Sequence, residues 1–313
     1  MSTAQSDRDD TTPGRGTLLD RILRAREGSR NPWLLIAALA VFVGFMVLAV
    51  RALPKIDKPI RWELIVVALV CVPVIVGLNA LEFRLMAHFA QHHPPMLEIL
   101  QITVLGSAAN LLPMPGAVMV RVANLRKAGV RLTRGLNLSA IIGLAWLGTA
   151  GVLGGAVQLW SHTAFALTAL VIGGIVLAIG TLMLARTLEP RTRVAGALEL
   201  LAIECGFIFM QAFRLFLVAA ALRFNVSYAQ TTTLMIATVA AAAIGFLPSG
   251  LGAREGIAAL LAPIVGFPAA VGLVITAVDR LVSLAVLSVL AGILTVATRR
   301  RRRELTPTAP DRG

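Results

Sequence analysis

Two apolar stretches of this chain are broken by proline and glycine, and these breaks constrain its fold more than any other feature. The first, Leu97–Leu112, is broken at Pro113-Met-Pro-Gly116 and resumes amphipathically to Lys127. The second, Thr231–Phe267, is broken at Leu247-Pro-Ser-Gly-Leu-Gly-Ala-Arg-Glu-Gly256. Neither Thr231–Phe246 nor Ile257–Phe267 reaches the ~20 apolar residues that a bilayer-crossing helix needs. Non-helical backbone at membrane depth is tolerated only where protein buries it or where it lines a watery cavity. Charges such as Arg254 and Glu255 in such a place are costly, and costly groups in membranes mark binding or transport sites.

Composition agrees with a membrane protein. Of 313 residues, 57% are hydrophobic and 14% charged, with mean hydropathy +0.82. Soluble domains carry about 25% charged residues. The net charge of +13 sits in tails and short loops, and aromatics are only 5%. A nucleic-acid reader would show a basic face with interleaved aromatics, so that class is set aside. Cys71 and Cys205 lie within apolar runs and read as small buried hydrophobes, with neither metal-ligand spacing nor a disulfide framework. The four histidines form no H-E-x-x-H motif, and no G-x-x-x-x-G-K-[ST] phosphate loop occurs. No metal and no cofactor is expected.

Six segments are long enough to cross a bilayer: Trp33–Val50, Trp62–Ala87, Leu136–Trp160, Ala164–Ala185, Leu198–Leu222 and Pro268–Ala297. The two broken regions read as re-entrant helix pairs. The expected fold is therefore an all-α polytopic membrane protein with six full spans and two re-entrant pairs. Basic residues cluster in residues 1–31 (six arginines), in Arg121–Arg134 (five), in Arg186–Arg193 (three) and in Arg299–Arg303 (five). All four clusters share one side in this topology, and the positive-inside rule makes that side cytoplasmic. Residues 1–31 and 299–313 then form basic cytoplasmic tails around a membrane domain of residues 32–298. The loop bearing Arg51, Lys55, Lys58 and Arg61 faces outward against the rule, which leaves the first hairpin least constrained.

Element order repeats: span, span, broken region, span. Leu112-Pro113 corresponds to Leu247-Pro248, 135 residues later. The halves, about 32–160 and 164–298, begin on opposite sides and would form an inverted repeat, a transporter arrangement. Any polytopic chain with one Pro-Gly break per half would look similar.

The second break carries the strongest candidate site. Gly250 and Gly252 permit close backbone approach, and the half-helix that follows offers free N–H groups and a positive dipole end. With Arg254, this suits a phosphate or carboxylate; a tight turn capped by an Arg254–Glu255 pair is the plainer alternative. In the first half, Gly116 and Arg121 occupy the corresponding break, unless Arg121 only joins Arg126 and Lys127 at the surface. Glu204, Gln211 and Arg214 share one helical face, and Asp279-Arg280 sits within the last span. Such charges must line a cavity or pair internally, with Asp279 suited to Arg214 or Arg254.

At these residues the sequence resembles a known family. Ala242-Ala-Ile-Gly-Phe-Leu-Pro-Ser-Gly-Leu-Gly-Ala-Arg-Glu-Gly256, Val265-Gly-Phe-Pro268 and Asp279-Arg-Leu281 resemble the transmembrane domain of bacterial lysylphosphatidylglycerol synthases, shared with stand-alone flippase-like proteins. Asn110-Leu-Leu-Pro-Met-Pro-Gly116 with Arg121 resembles the family's first re-entrant motif, though Ala117 and Val118 replace its frequent acidic residue. Only ten residues follow Arg303, so the resemblance implies the lipid-translocating part without the synthetic one. It implies a non-enzymatic flippase-like protein of the bacterial inner membrane, both termini cytoplasmic, acting on a phospholipid or polyprenyl-phosphate. Gly116, Arg121, Gly250, Gly252, Arg254 and Glu255 would bind the head group, and Glu204, Arg214, Asp279 and Arg280 would be cavity charges. A homo-oligomer or a lipid-synthase partner fits the same reading. The rivals are a non-transporting partner subunit of a lipid- or envelope-synthesis enzyme and a membrane-embedded lipid-modifying transferase.

Overall fold

A computed structural model describes residues 51, 59–109, 116–189, 192–243 and 250–305. The expected first span, the 1–31 tail, the end of the C-terminal tail and residues 110–115 and 244–249 lie outside the described residues. Among those described there are nine helices and no strand: α1 (Trp62–Phe89), α2 (Met96–Ala109), α3 (Gly116–Lys127), α4 (Leu132–Ala156), α5 (Thr163–Thr187), α6 (Arg193–Ala221), α7 (Tyr228–Ala243), α8 (Gly250–Ile264) and α9 (Ala269–Leu305). By length and composition, α1, α4, α5, α6 and the Ala269–Leu294 part of α9 are long and apolar enough to cross a membrane. The second break is shorter than expected, because Gly250–Gly256 is already helical. Gly250 opens α8 as Gly116 opens α3, which puts Arg254 and Glu255 on a helix.

Helices α1 and α6 run antiparallel through the centre. The Arg61 N–H donates to the Ala221 carbonyl at 3.0 Å at one end. At the other end the Phe89 ring lies against Gly196, 3.1 Å from where a Cβ would stand. Each helix therefore contributes to both apolar cores. The larger core joins the first half of α1 and the second half of α6 to α7, α8 and α9. The smaller joins the end of α1 and the start of α6 to α2, α3, α4 and α5. Outward faces stay apolar, as Val66, Val70 and Val74 on α1 and Val171, Ile175 and Ile179 on α5 show. Trp62 and Trp160 are exposed at the α1 start and just beyond α4, positions suited to a membrane interface.

The short helices form two hairpins. At 14 and 12 residues for α2 and α3, and 16 and 15 for α7 and α8, none reaches the ~30 Å of a hydrocarbon core at ~1.5 Å per residue. The open end of α2–α3 is tied by Asn124 Nδ2 donating to Glu98 Oε1 at 2.9 Å. That of α7–α8 is tied by Gln230 Nε2 donating to the Val265 carbonyl at 2.7 Å. Gln230 also completes a capping box with Ser227, since the Ser227 N–H donates to Gln230 Oε1 at 2.8 Å. The hairpins open toward opposite ends of the bundle. Arg134, just beyond α3, reaches the Phe89 carbonyl at the α1 end, whereas Gln158 beyond α4 meets Thr233 near the α7 start. Corresponding helices also stop alike. α1 and α6 end in left-handed residues Gln91 and Arg223, and α3 and α8 end before Gly129 and Gly266, both at positive φ. Each of these ends closes with a six-residue backbone bond, such as Val130 N–H to the Leu125 carbonyl.

Helices α4 and α5 meet at glycine contacts. A Cβ on Gly148 would fall 2.4 Å from the Leu177 amide nitrogen, and Gly151 and Gly173 face each other with similar tightness. Small residues here let the backbones approach closely, as membrane helix pairs require. Gly148→Ala is expected to lower thermal stability by about 1–3 kcal/mol through overpacking. Gly143→Ala, with nothing within 4 Å of its Cβ position, should be neutral or gain up to ~1 kcal/mol of helix propensity. Detergent-phase melting of both variants checks the pair, and equal melting temperatures would contradict the close contact.

Candidate functional site

The first turns of α8 place Arg254 and Glu255 against adjacent residues of α9. Successive helical residues diverge in direction, so neighbours do not face each other. Arg254 and Glu255 accordingly do not pair with one another, contrary to the capping alternative. Arg254 Nη2 donates to Asp279 Oδ2 at 2.6 Å, and Arg280 Nη1 donates to Glu255 Oε1 at 3.0 Å. The two adjacent pairs thus dovetail across the α8–α9 contact. From α6, Arg214 adds a bidentate fork on the same carboxylate, Nε to Oδ1 at 2.6 Å and Nη2 to Oδ2 at 2.9 Å. The sequence offered Arg214 or Arg254 as partner of Asp279; the structure brings both. Asp279 is fully buried and the Arg214 side chain is 3% exposed, while Arg254 keeps 13%.

Charge does not balance in this cluster. Two guanidinium groups share one carboxylate, leaving one positive charge in excess. Arg254 Nε is buried with no hydrogen-bond partner. Buried donors without partners are expensive, and arginine forks suit the paired oxygens of phosphate or carboxylate. An anion approaching the α8 N-terminus would meet both the spare charge and the spare donor. Gly250 and Gly252 lie in that first turn, whereas Pro248 and Ser249 lie outside the described residues.

A second cluster forms at the other hairpin. Arg121 on α3 pairs with Glu82 of α1, and its Nη2 is 3.5 Å from Asn79 Oδ1. Its guanidinium also lies 5.8 Å from the Phe83 ring centroid, within cation–π range. Arg121 therefore turns inward and does not join exposed Arg126 and Lys127. The absence of an acid at Ala117 or Val118 is offset by Glu82 from a different helix. That pairing was missed from sequence. The available signal was Asn79 and Glu82 at i, i+3 on one face of an apolar helix. Arg84 and Glu199, by contrast, point outward.

Glu204 on α6 lies beside this second cluster. It is 0% exposed, and neither carboxyl oxygen has a hydrogen-bond partner. Glu82 and Arg121 are charges that act on it. Gln211 and Arg214 share its buried face, as their spacing required. Cys205, one residue on, is exposed rather than buried, because one helical step carries it to the outer face. Along the chain, Glu204 and Arg214 are ten residues apart, about 15 Å of helix. The bundle thus holds an acid-rich centre and an arginine-rich centre at different depths.

A family model described as the lysylphosphatidylglycerol synthase TM region matches residues 34–291. The chain belongs to this family. No curated protein matches the chain significantly. Both charged centres lie inside the residues matched to the lysylphosphatidylglycerol synthase TM region. The histidines stay outside them: His88 Nδ1 and His93 Nε2 lie 3.2 Å apart near the end of α1. Among the described residues, no group of three or more His, Cys, Asp or Glu side chains could hold a metal ion.

The arrangement predicts an order of mutational cost. Asp279→Ala leaves Arg214 buried without a counter-charge and should cost about 3–5 kcal/mol of stability. Arg254→Ala should cost distinctly less, because Arg214 retains both Asp279 oxygens. Melting curves of the purified variants check this, and the reverse order would contradict the cluster.

Proposed function

We propose that this protein is an inner-membrane lipid flippase-like transporter. It takes an anionic (phospho)lipid head group into a cavity between two inverted halves. The observation that carries this reading is the uncompensated positive charge of Arg214 and Arg254 on Asp279, with the unpartnered Arg254 Nε at the α8 N-terminus. The head-group phosphate would engage Arg254 and the backbone at Gly250 and Gly252. Arg121 and Gly116 would play the matching role in the other half, while Glu204, Glu255 and Arg280 shape the charge of the cavity. The α2–α3 and α7–α8 hairpins, opening toward opposite ends of the bundle, would enter the membrane from opposite sides as re-entrant pairs. Six spans, including Trp33–Val50, would place both termini in the cytoplasm. The substrate is a phospholipid or a polyprenyl-phosphate, and the role is transport rather than catalysis. With no phosphate-loop motif for nucleotide in the sequence, movement is downhill or ion-coupled.

The direct test is lipid affinity in detergent, with phosphatidylglycerol compared against zwitterionic phosphatidylcholine. Arg254→Ala removes a charge-assisted contact of about 1.5–3 kcal/mol, so phosphatidylglycerol affinity should fall roughly ten-fold or more. Arg254→Lys should restore part of it, since an ammonium cannot form the fork. A folded Arg254→Ala variant with undiminished affinity would reduce Arg254 to a structural partner of Asp279.

Topology has its own check. In a background lacking Cys71 and Cys205, single cysteines at the exposed positions Asn225 and Arg126 should label from the periplasm and the cytoplasm respectively. Labelling of both from one side would refute the inverted arrangement.

A further inference from the structure

Glu204 is the ionisable group that the head-group site leaves unexplained. It sits twelve residues into α6, fully buried, with both oxygens lacking a donor. An ionised carboxylate is the strongest acceptor among side chains and is tolerated in an apolar interior only when paired or well hydrogen-bonded. Glu204 has neither support. Arg121, the cation that acts on it, is already engaged by Glu82 and Asn79. Glu82 itself adds a like charge, and two carboxyls sharing one cation in a buried site do not both ionise readily.

The other helices packed against α6 bring no further counter-charge. Within its apolar run α4 carries no charged side chain, and Arg134 stands at its exposed beginning. On α5 the charged residue is Arg186, near its exposed end, and α7 has none, with Tyr228 as its one titratable group. On α9, Asp279 and Arg280 are committed to Arg214, Arg254 and Glu255. On α6 itself the neighbouring Cys205 thiol faces outward. In the arrangement seen here, neither Glu204 oxygen receives a hydrogen bond.

We propose that Glu204 is a proton-binding site and that its proton couples lipid movement to the proton gradient. The inference rests on the transport reading above for its consequence, though not for the proton itself. With the crevice closed and empty, the Glu204 carboxyl holds the proton, and Glu82 stays ionised against Arg121. When the halves part and water reaches the acid-rich centre, hydration stabilises the carboxylate and the O–H proton passes to that water. The empty crevice recloses only with a proton taken from the side it faces, whereas a crevice holding a head group recloses without one, so each lipid carried one way is matched by one proton carried the other way. No oxidant, reductant or nucleotide enters this cycle; one proton is bound and one released. An acid-rich centre for the proton and an arginine-rich centre for the anion, one beside each hairpin, would thus divide the two tasks.

Two measurements on the full chain in lipid bilayers test this. The first is infrared difference spectroscopy across a pH titration. The wild type should show the carbonyl band of a protonated carboxyl near neutral pH, and Glu204→Gln should lose it. Absence of the band in the wild type, or its persistence unchanged in Glu204→Gln, would overturn the assignment whether or not lipid moves. The second uses fluorescently tagged phosphatidylglycerol in liposomes with an imposed pH difference. One coupled proton should shift the inner-to-outer distribution by about tenfold per pH unit. Glu204→Gln, which cannot take up or release a proton, should lose the gradient-driven shift, while Glu204→Asp should keep a response. A gradient response equal in Glu204→Gln and wild type would refute coupling through this residue. Failure of the wild type to move lipid without any gradient would count against the transport reading, leaving the infrared result to decide the proton site.

Discussion

A charge in the interior of an apolar bundle must find a partner there, and that requirement organises this structure. Asp279 meets it by accepting from Arg214 and Arg254 at once, which pins α6, α8 and α9 to one point. Arg121 meets it through Glu82, which pins α3 to α1. Each hairpin is therefore tied by an ion pair to a long helix. The apolar cores then fill the space between, with α1 and α6 threading both. Removing a partner from such a pair is far more disruptive than replacing the whole pair with apolar groups, because the remaining charge stays buried.

The two centres differ in composition. Near α3 there are two carboxyls, Glu82 and Glu204, for one arginine. Near α8 there are two arginines for the one carboxylate of Asp279, while Glu255 and Arg280 cancel. Residues 79 and 214 stand about one repeat length apart, and there Asn79 takes the place of Arg214. The two hairpins thus carry different sets of charged side chains. On the reading proposed above, an anionic head group would fit one of them and a proton the other.

Much of the scaffold was legible in the sequence because it follows from local rules. Apolar runs of sufficient length became α1, α4, α5, α6 and the membrane-length part of α9, and the two shorter runs became paired short helices. The Glu204–Gln211–Arg214 face was readable from helical periodicity alone. What could not be read was which charge meets which. Arg254 and Glu255 are adjacent in sequence, yet helical geometry sends them to Asp279 and Arg280. Glu82 and Arg121 belong to different helices whose packing no local pattern specifies. The exposure of Cys205 likewise depends on which face of α6 meets the bundle. The onset of α8 at Gly250, earlier than the glycine-rich motif suggested, reflects the tolerance of a helix N-terminus for glycine.

The central claim is that the surplus positive charge around Asp279 exists to receive an anionic lipid. Native mass spectrometry of the wild-type protein, released gently from detergent, tests it most directly by weighing what remains bound. The account predicts a stoichiometric adduct whose mass identifies a phosphate-bearing anionic lipid, enriched over its share of the source membrane. A protein that emerges bare, or that carries neutral and zwitterionic lipids in proportion to the membrane, would contradict it.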